Sequence, residues 1–109
     1  MSEGDGPPPG RLREPVVLAL SGELDVAVTG EAYKRMLGLA LRPGDQLVVD
    51  LSEVRFMDSA GIRLLLQARA HAASRRAGFV VVRGPEPVMR VLELVGLVDQ
   101  LDLIDRLPA

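Results

Sequence analysis

The sequence contains no cysteine and a single lysine, Lys34. Without cysteine the chain has neither a disulfide framework nor a thiolate metal or redox site. It has one tyrosine, two phenylalanines and no tryptophan, so leucine, valine and alanine must fill the core. The longest apolar runs, such as Val16–Leu20, are too short to span a bilayer. With no secretory signal pattern at the N-terminus either, we expect a cytoplasmic protein without a membrane partner.

Charge and length narrow the class of protein further. The formal net charge is −2, which leaves no basic footprint and argues against nucleic acid as the main partner. A chain of 109 residues, 48% of them hydrophobic, fits one domain with one core. Met1–Gly10 is rich in glycine and proline and is predicted to be a disordered leader, with residues 11–109 forming the domain.

Apolar runs and turn signals alternate along the domain and predict its elements. In order, we expect a possible edge strand at Arg11–Arg13, a strand at Pro15–Leu20, a helix at Val26–Leu41, a strand at Gln46–Leu51, a connector at Ser52–Met57, a helix from Ser59 to about Ala77, a strand at Phe79–Val82, a helix at Glu86–Val95, and a short helix followed by an edge strand within Leu97–Leu103. This alternation predicts an α/β fold with right-handed crossovers.

Two finer expectations concern which side chains are buried. Val54 and Phe56 in the connector are predicted to point inward. The core face of the central helix is predicted to consist of Ile62, Leu65, Leu66, Ala70 and Ala73.

Two short polar segments, Gly22–Asp25 and Asp58–Gly61, each follow a strand and precede a helix. In a parallel sheet such segments lie side by side at the edge where open sheets usually bind ligands. Asp58 or Ser59 suits the cap of the second helix, and the amides there favour a nearby anion. On these residues alone, two ordinary capped turns and a functional site both remain open.

The sequence gives little support for a phosphoaspartate receiver, a phosphate-binding loop or a catalytic site. A phosphoaspartate receiver needs a lysine beside its acceptor, and Lys34 lies on a different element. Neither glycine-rich phosphate-binding motif occurs, and Ser59 lacks the first glycine of a nucleophile elbow. His71 is the only histidine. We therefore expect no catalytic residue, metal site or cofactor, and a protein that is not an enzyme.

Five segments together resemble the STAS domain of bacterial anti-sigma factor antagonists. They are Pro15–Leu20, Gly22–Asp25, Val48–Ser52, Phe56–Ile62 and Pro87–Leu97. The Asp-Ser-x-Gly element in its strand–turn–helix setting is the most specific of them. The resemblance implies a STAS fold, with a central mixed β-sheet of four to five strands flanked by helices.

The resemblance also implies a partner switch in transcription regulation, within a stress response. In this family an anti-sigma factor that is an ATP-dependent serine kinase phosphorylates the serine that corresponds to Ser59. The unphosphorylated antagonist binds that kinase and releases a sigma factor, and a phosphoserine phosphatase restores the antagonist. Transferred by motif, the partner-binding residues are Gly22, Glu23, Asp25, Asp58, Ser59, Ala60, Gly61 and Ile62.

The sequence departs from the family pattern in two places. Ala60 replaces a serine or threonine found in many members, and because the chain ends at Ala109 we expect a short or missing C-terminal helix. Phosphorylation would add about −1.5 to −2 charges at Ser59, part of which the helix amides are expected to accept. We expect a monomer or weak dimer. Two alternatives remain open: a scaffold or accessory subunit of a lipid transporter, and a module that binds a small ligand beside Gly22–Asp25.

Overall fold

The computed structural model describes residues 15–108. Its elements are β1 (Pro15–Leu24), α1 (Val26–Leu37), β2 (Gln46–Met57), α2 (Ser59–Ser74), β3 (Gly78–Val82), α3 (Glu86–Leu94), a 3-10 turn (Val98–Gln100) and β4 (Leu103–Ile104). The predicted short helix and edge strand after Leu97 are thus confirmed. The leader Met1–Gly10 and the edge strand predicted at Arg11–Arg13 lie outside the described residues.

The four strands form one sheet in the order β1-β2-β3-β4, and each pairing is parallel. Right-handed crossovers that always step to the next strand place all the helices on one face of the sheet. Buried side chains of the three helices, such as Met36, Leu65 and Leu92, accordingly belong to one core cluster. A smaller cluster, formed by strand residues that point to the opposite face of the sheet, comprises Val48, Val80 and Val82.

The predicted α/β class with a helix-flanked sheet is confirmed. The expected mixed character is not found among residues 15–108, where all three strand pairings are parallel.

The first two strands extend further than predicted. β1 continues to Leu24 and β2 to Met57, so the connector expected after Leu51 is the second half of a strand. Between the pairs Ala19↔Asp50 and Leu24↔Met57 the register shifts twice, and β2 carries the extra residues. Each such bulge resets the alternation of side chains between the two faces.

The bulges explain one error in the predicted burial of β2. Leu51, Val54 and Met57 all point into the core although they are three residues apart. Val54 is buried, as predicted, but Phe56 lies on the opposite side from Met57 and is 50% exposed. The prediction that Phe56 points inward is therefore wrong.

The helices are shorter than predicted, and α2 presents a different face. α1 ends at Leu37 rather than Leu41, and α2 ends at Ser74 rather than Ala77. The buried residues of α2 are Gly61, Leu64, Leu65, Ala68 and Ala72. Leu66, Ala70 and Ala73, which were expected in the core, are exposed. Because leucine and alanine occur on several sides of α2, contacts with the sheet and α1 decide which side is buried.

Candidate functional site

The structure brings the two polar segments together at the carboxyl edge of the sheet. β1 and β2 end as neighbours, with Leu24 paired to Met57. The Asp58 N–H also donates to the Leu24 carbonyl at 3.3 Å. Two strand–helix junctions therefore lie side by side: the first junction is Leu24–Val28 and the second is Met57–Gly61.

An aspartate caps the helix at each junction. Asp25 has extended backbone, and its carboxylate accepts a hydrogen bond from the Ala27 N–H at 3.0 Å. Asp58 does the same for α2, with the Ala60 N–H donating at 2.8 Å. Both carboxylates thus satisfy amides that have no partner within the helix. Of the two residues that the sequence offered as the cap of α2, it is Asp58 that takes this role.

Ser59 is the first residue of α2 and is exposed. Its hydroxyl makes no hydrogen bond within the described part of the chain. The corresponding first residue of α1 is Val26, which is 82% exposed. The hydroxyl of Ser59 is therefore accessible to a partner, and no intramolecular hydrogen bond would have to be broken to reach it.

Three amides of the first turn of α2 are already engaged. Gly61 and Ile62 donate to the Asp58 carbonyl at 3.0 and 3.3 Å, and Ala60 donates to the Asp58 carboxylate. The Ser59 N–H has no acceptor among residues 15–108, so the expectation that the helix amides accept part of a phosphate's charge stays a prediction.

Gly61 allows α2 to begin directly on the ends of both strands. A Cβ at this position would lie 2.7 Å from the Met57 Sδ and 3.1 Å from the Leu24 Cβ. Met57 and Leu24 are both essentially fully buried and have little room to move. The glycine thus holds the start of α2, and with it Ser59, close to the sheet.

The other residues predicted to bind a partner lie at or next to the two junctions. Gly22 has a φ of +73° and lies where β1 and β2 change register. Glu23 follows it and accepts a hydrogen bond from the Arg55 guanidinium across the strand pair at 2.9 Å. Ala60 and Ile62 are partly buried behind Ser59.

Sequence reasoning missed two apolar side chains at this edge. Phe56 pairs with Glu23 in the register of β1 and β2, and Val26 follows the cap Asp25. The signal for Val26 was its position directly after a cap. The outward direction of Phe56 depends on bulges that no local pattern reveals.

No group of three or more histidine, aspartate or glutamate side chains in residues 15–108 is placed to hold a metal ion. In the same range, no helix combines the length and apolar character needed to cross a membrane.

A four-stranded parallel sheet covered by helices, with two capped junctions at its carboxyl edge, defines an α/β domain of the STAS type. The family model described as "Mlab, STAS domain" matches residues 10–105, which is most of the chain. This protein belongs to the STAS domain family.

The individual proteins that match the chain have low sequence identity to it. The chain is 25% identical over 84 residues to the anti-sigma-B factor antagonist of Listeria monocytogenes, covering 77% of this chain and 74% of the relative. The protein of the same name from Listeria innocua matches to the same extent. The unphosphorylated form of the anti-sigma factor antagonist SpoIIAA has a similar fold, with a TM-score of 0.67 and 21% identity over 86% of this chain and 83% of that chain.

Proposed function

We propose that this protein is an anti-sigma factor antagonist controlled by phosphorylation of Ser59. In the unphosphorylated form it binds an anti-sigma factor serine kinase and thereby releases a sigma factor. The observation that carries the proposal is the exposed hydroxyl of Ser59, which has no hydrogen-bond partner in the described chain and lies at the second of two adjacent capped junctions. The names of the two Listeria relatives support the antagonist role.

The partner-binding surface is the carboxyl edge of the sheet. Its polar part consists of Asp25, Asp58 and Ser59, and its apolar part of Val26 and Phe56, which are 82% and 50% exposed. Exposed aromatic side chains beside polar groups are typical centres of protein interfaces. A partner bound here would cover the Ser59 hydroxyl and both apolar side chains at once.

Phosphorylation switches this surface off by charge. A phosphate would add about −1.5 to −2 charges beside the carboxylates of Asp58 and Asp25. A kinase surface that fits a neutral hydroxyl near these carboxylates is then repelled and cannot accommodate the added group. A penalty of about 3 kcal/mol would weaken binding roughly a hundredfold.

The protein acts in this scheme as substrate and ligand. The kinase supplies ATP and the catalytic residues, and a phosphoserine phosphatase supplies the reverse step. The chain itself contributes an accessible acceptor and a rigid support, since α2 is fixed by its cap and by Gly61.

The labelling experiment uses the cognate kinase and ATP. Wild-type protein should incorporate one phosphate, and Ser59→Ala should incorporate none. Ser21→Ala and Ser52→Ala are matched controls, because both serines are exposed on the neighbouring strands, and both variants should label normally. Labelling of Ser59→Ala at another residue would contradict the assignment.

A binding experiment separates charge from shape. Ser59→Asp should weaken binding to the kinase at least tenfold, whereas the isosteric but uncharged Ser59→Asn should weaken it less. Both variants should unfold at nearly the wild-type temperature, because the Ser59 side chain makes no hydrogen bond in residues 15–108. Equal losses for Asp and Asn would show that shape, not charge, is recognised.

Co-purification from the native cell tests the wider assignment. Recovery of a serine kinase with the protein supports the antagonist role. Recovery of a transporter ATPase instead would favour the accessory-subunit alternative.

A further inference from the structure

Arg63 is an exposed cation on the first turns of α2 that the described fold leaves unused. Its guanidinium makes no hydrogen bond or ion pair in residues 15–108. Four other exposed arginines are paired with carboxylates: Arg42 with Asp45, Arg55 with Glu23, Arg83 with Asp105 and Arg90 with Glu86. Arg75 and Arg106 also lack a side-chain partner in residues 15–108, but neither lies near Ser59 in the sequence. Arg63 therefore contributes charge to the surface without stabilising any neighbour.

The position of Arg63 relative to Ser59 is specific. The two residues are four apart on α2, so they lie on the same side of the helix with Cβ atoms about 6 Å apart. Side chains on a helix lean toward its N-terminus, which directs Arg63 toward the turn that contains Ser59. An anion that precedes a cation by four residues is also the more favourable orientation of such a pair.

A phosphate on Ser59 would need a partner of this kind. The amides of Ala60, Gly61 and Ile62 are already bonded to Asp58. The carboxylate of Asp58 would repel a phosphate attached to the next residue. The end of the helix leaves only the Ser59 N–H without an acceptor in residues 15–108, so a cationic side chain would supply most of the stabilisation.

We infer that Arg63 is the intramolecular counter-ion of phosphorylated Ser59. The inference deepens the function proposed above and rests on it for the modification. A guanidinium binds a phosphate through two parallel hydrogen bonds, which also fixes the orientation of both groups. Phosphorylation then adds negative charge to the partner-binding surface and also engages the Arg63 guanidinium, which is no longer available to carboxylates of a partner.

The test is a double-mutant cycle on the full chain with phosphoserine built in at position 59 during synthesis. Ser59 and phosphoserine forms are compared in the wild-type background and with Arg63→Gln, and the unfolding temperature is measured for all four proteins. Phosphate should change the unfolding temperature more favourably with Arg63 than with Gln at 63, by about 2–4 °C. The difference should shrink in about 1 M salt, where exposed charges are screened.

Two further variants test whether the effect depends on the position of the charge and on the guanidinium group. Lys34→Gln removes a positive charge from α1 and should leave the effect of phosphate unchanged, which controls for net charge. Arg63→Lys should retain part of the difference, since lysine keeps the charge but not the paired hydrogen bonds.

The inference is overturned if phosphate has the same effect with Arg63 as with Gln, or if Lys34→Gln abolishes the difference as fully as Arg63→Gln. Unfolding caused by phosphoserine in the wild-type background would also overturn it. None of these results depends on a kinase. Failure of the kinase to label Ser59 would therefore refute the proposed function separately.

Discussion

The two strand–helix junctions at the carboxyl edge share a cap but differ in the residues that follow it. Asp25 and Asp58 accept equivalent hydrogen bonds, from Ala27 and Ala60 respectively. The first helical residue after the cap is an exposed valine in α1 and an exposed serine in α2. The aspartates are therefore a shared structural device, and the residue after each cap gives its junction a separate role in the proposed interface.

The third helical residue shows the largest difference between the junctions. This position is Val28 in α1, which is 40% exposed, and Gly61 in α2, which is buried against Met57 and Leu24. Gly61→Val should reduce the free energy of unfolding by about 2–3 kcal/mol through overpacking. Val28→Gly should cost about 1 kcal/mol or less, from helix propensity alone. Urea unfolding measures both, and equal losses would show that α2 is not held tightly against the strand ends.

Removing an exposed apolar side chain next to either junction tests the interface. Phe56→Ala should weaken binding to the anti-sigma factor kinase about tenfold or more, corresponding to roughly 1.4 kcal/mol or more. Val26→Ala should have a smaller effect because less apolar area is lost. Leu94→Ala is the matched control: Leu94 is 79% exposed but lies at the far end of α3. A loss for Leu94→Ala as large as that for Phe56→Ala would place the interface elsewhere.

Truncating either cap should destabilise the fold. Asp25→Ala and Asp58→Ala should each cost about 1 kcal/mol, lowering the unfolding temperature by about 4–8 °C. Asp58→Ala should have the larger effect, because its hydrogen bond is shorter and partly buried. Asparagine at either position can still cap and should restore most of the loss. If asparagine restores nothing, the carboxylate charge rather than the cap is what stabilises the junction.

The smallest effect is expected for the ion pair that links the strands before the junctions. Arg55 and Glu23 are 2.9 Å apart, with side chains that are 75% and 51% exposed. A double-mutant cycle with alanine at both positions should give a coupling below about 1 kcal/mol. A larger value would indicate that this pair, and not only the main-chain pairing, holds the two junctions in register.

The order of elements and the position of both junctions could be predicted from the sequence. Apolar runs marked the strands, and Asp25 and Asp58 marked helix starts because an aspartate before an apolar helix is a local signal. A parallel sheet predicts both junctions at one edge, and the pairing of β1 with β2 places them next to each other.

Burial at the edge could not be predicted in the same way. The second half of β2 contains Ser52, Glu53 and Arg55, which resemble a connector until β1 is known to pair alongside. The bulges that direct Phe56 outward arise from that pairing and from no local pattern. The buried side of α2 was ambiguous for a related reason. Three consecutive leucines, Leu64–Leu66, offer several possible faces, and only the neighbouring elements select one.

The arrangement of the sheet also has a consequence for how the chain folds. Within residues 15–108, each strand pairs only with the strand that precedes or follows it in sequence, so strand pairing can follow the order of the chain. The paired residues are nevertheless 22 to 33 positions apart in the chain, and such non-local pairing forms more slowly than contacts within a helix. During synthesis, each emerging strand would find its neighbour already present. Assembly can therefore proceed from β1 toward β4, and the two strands that carry the junctions are the first pair that can form.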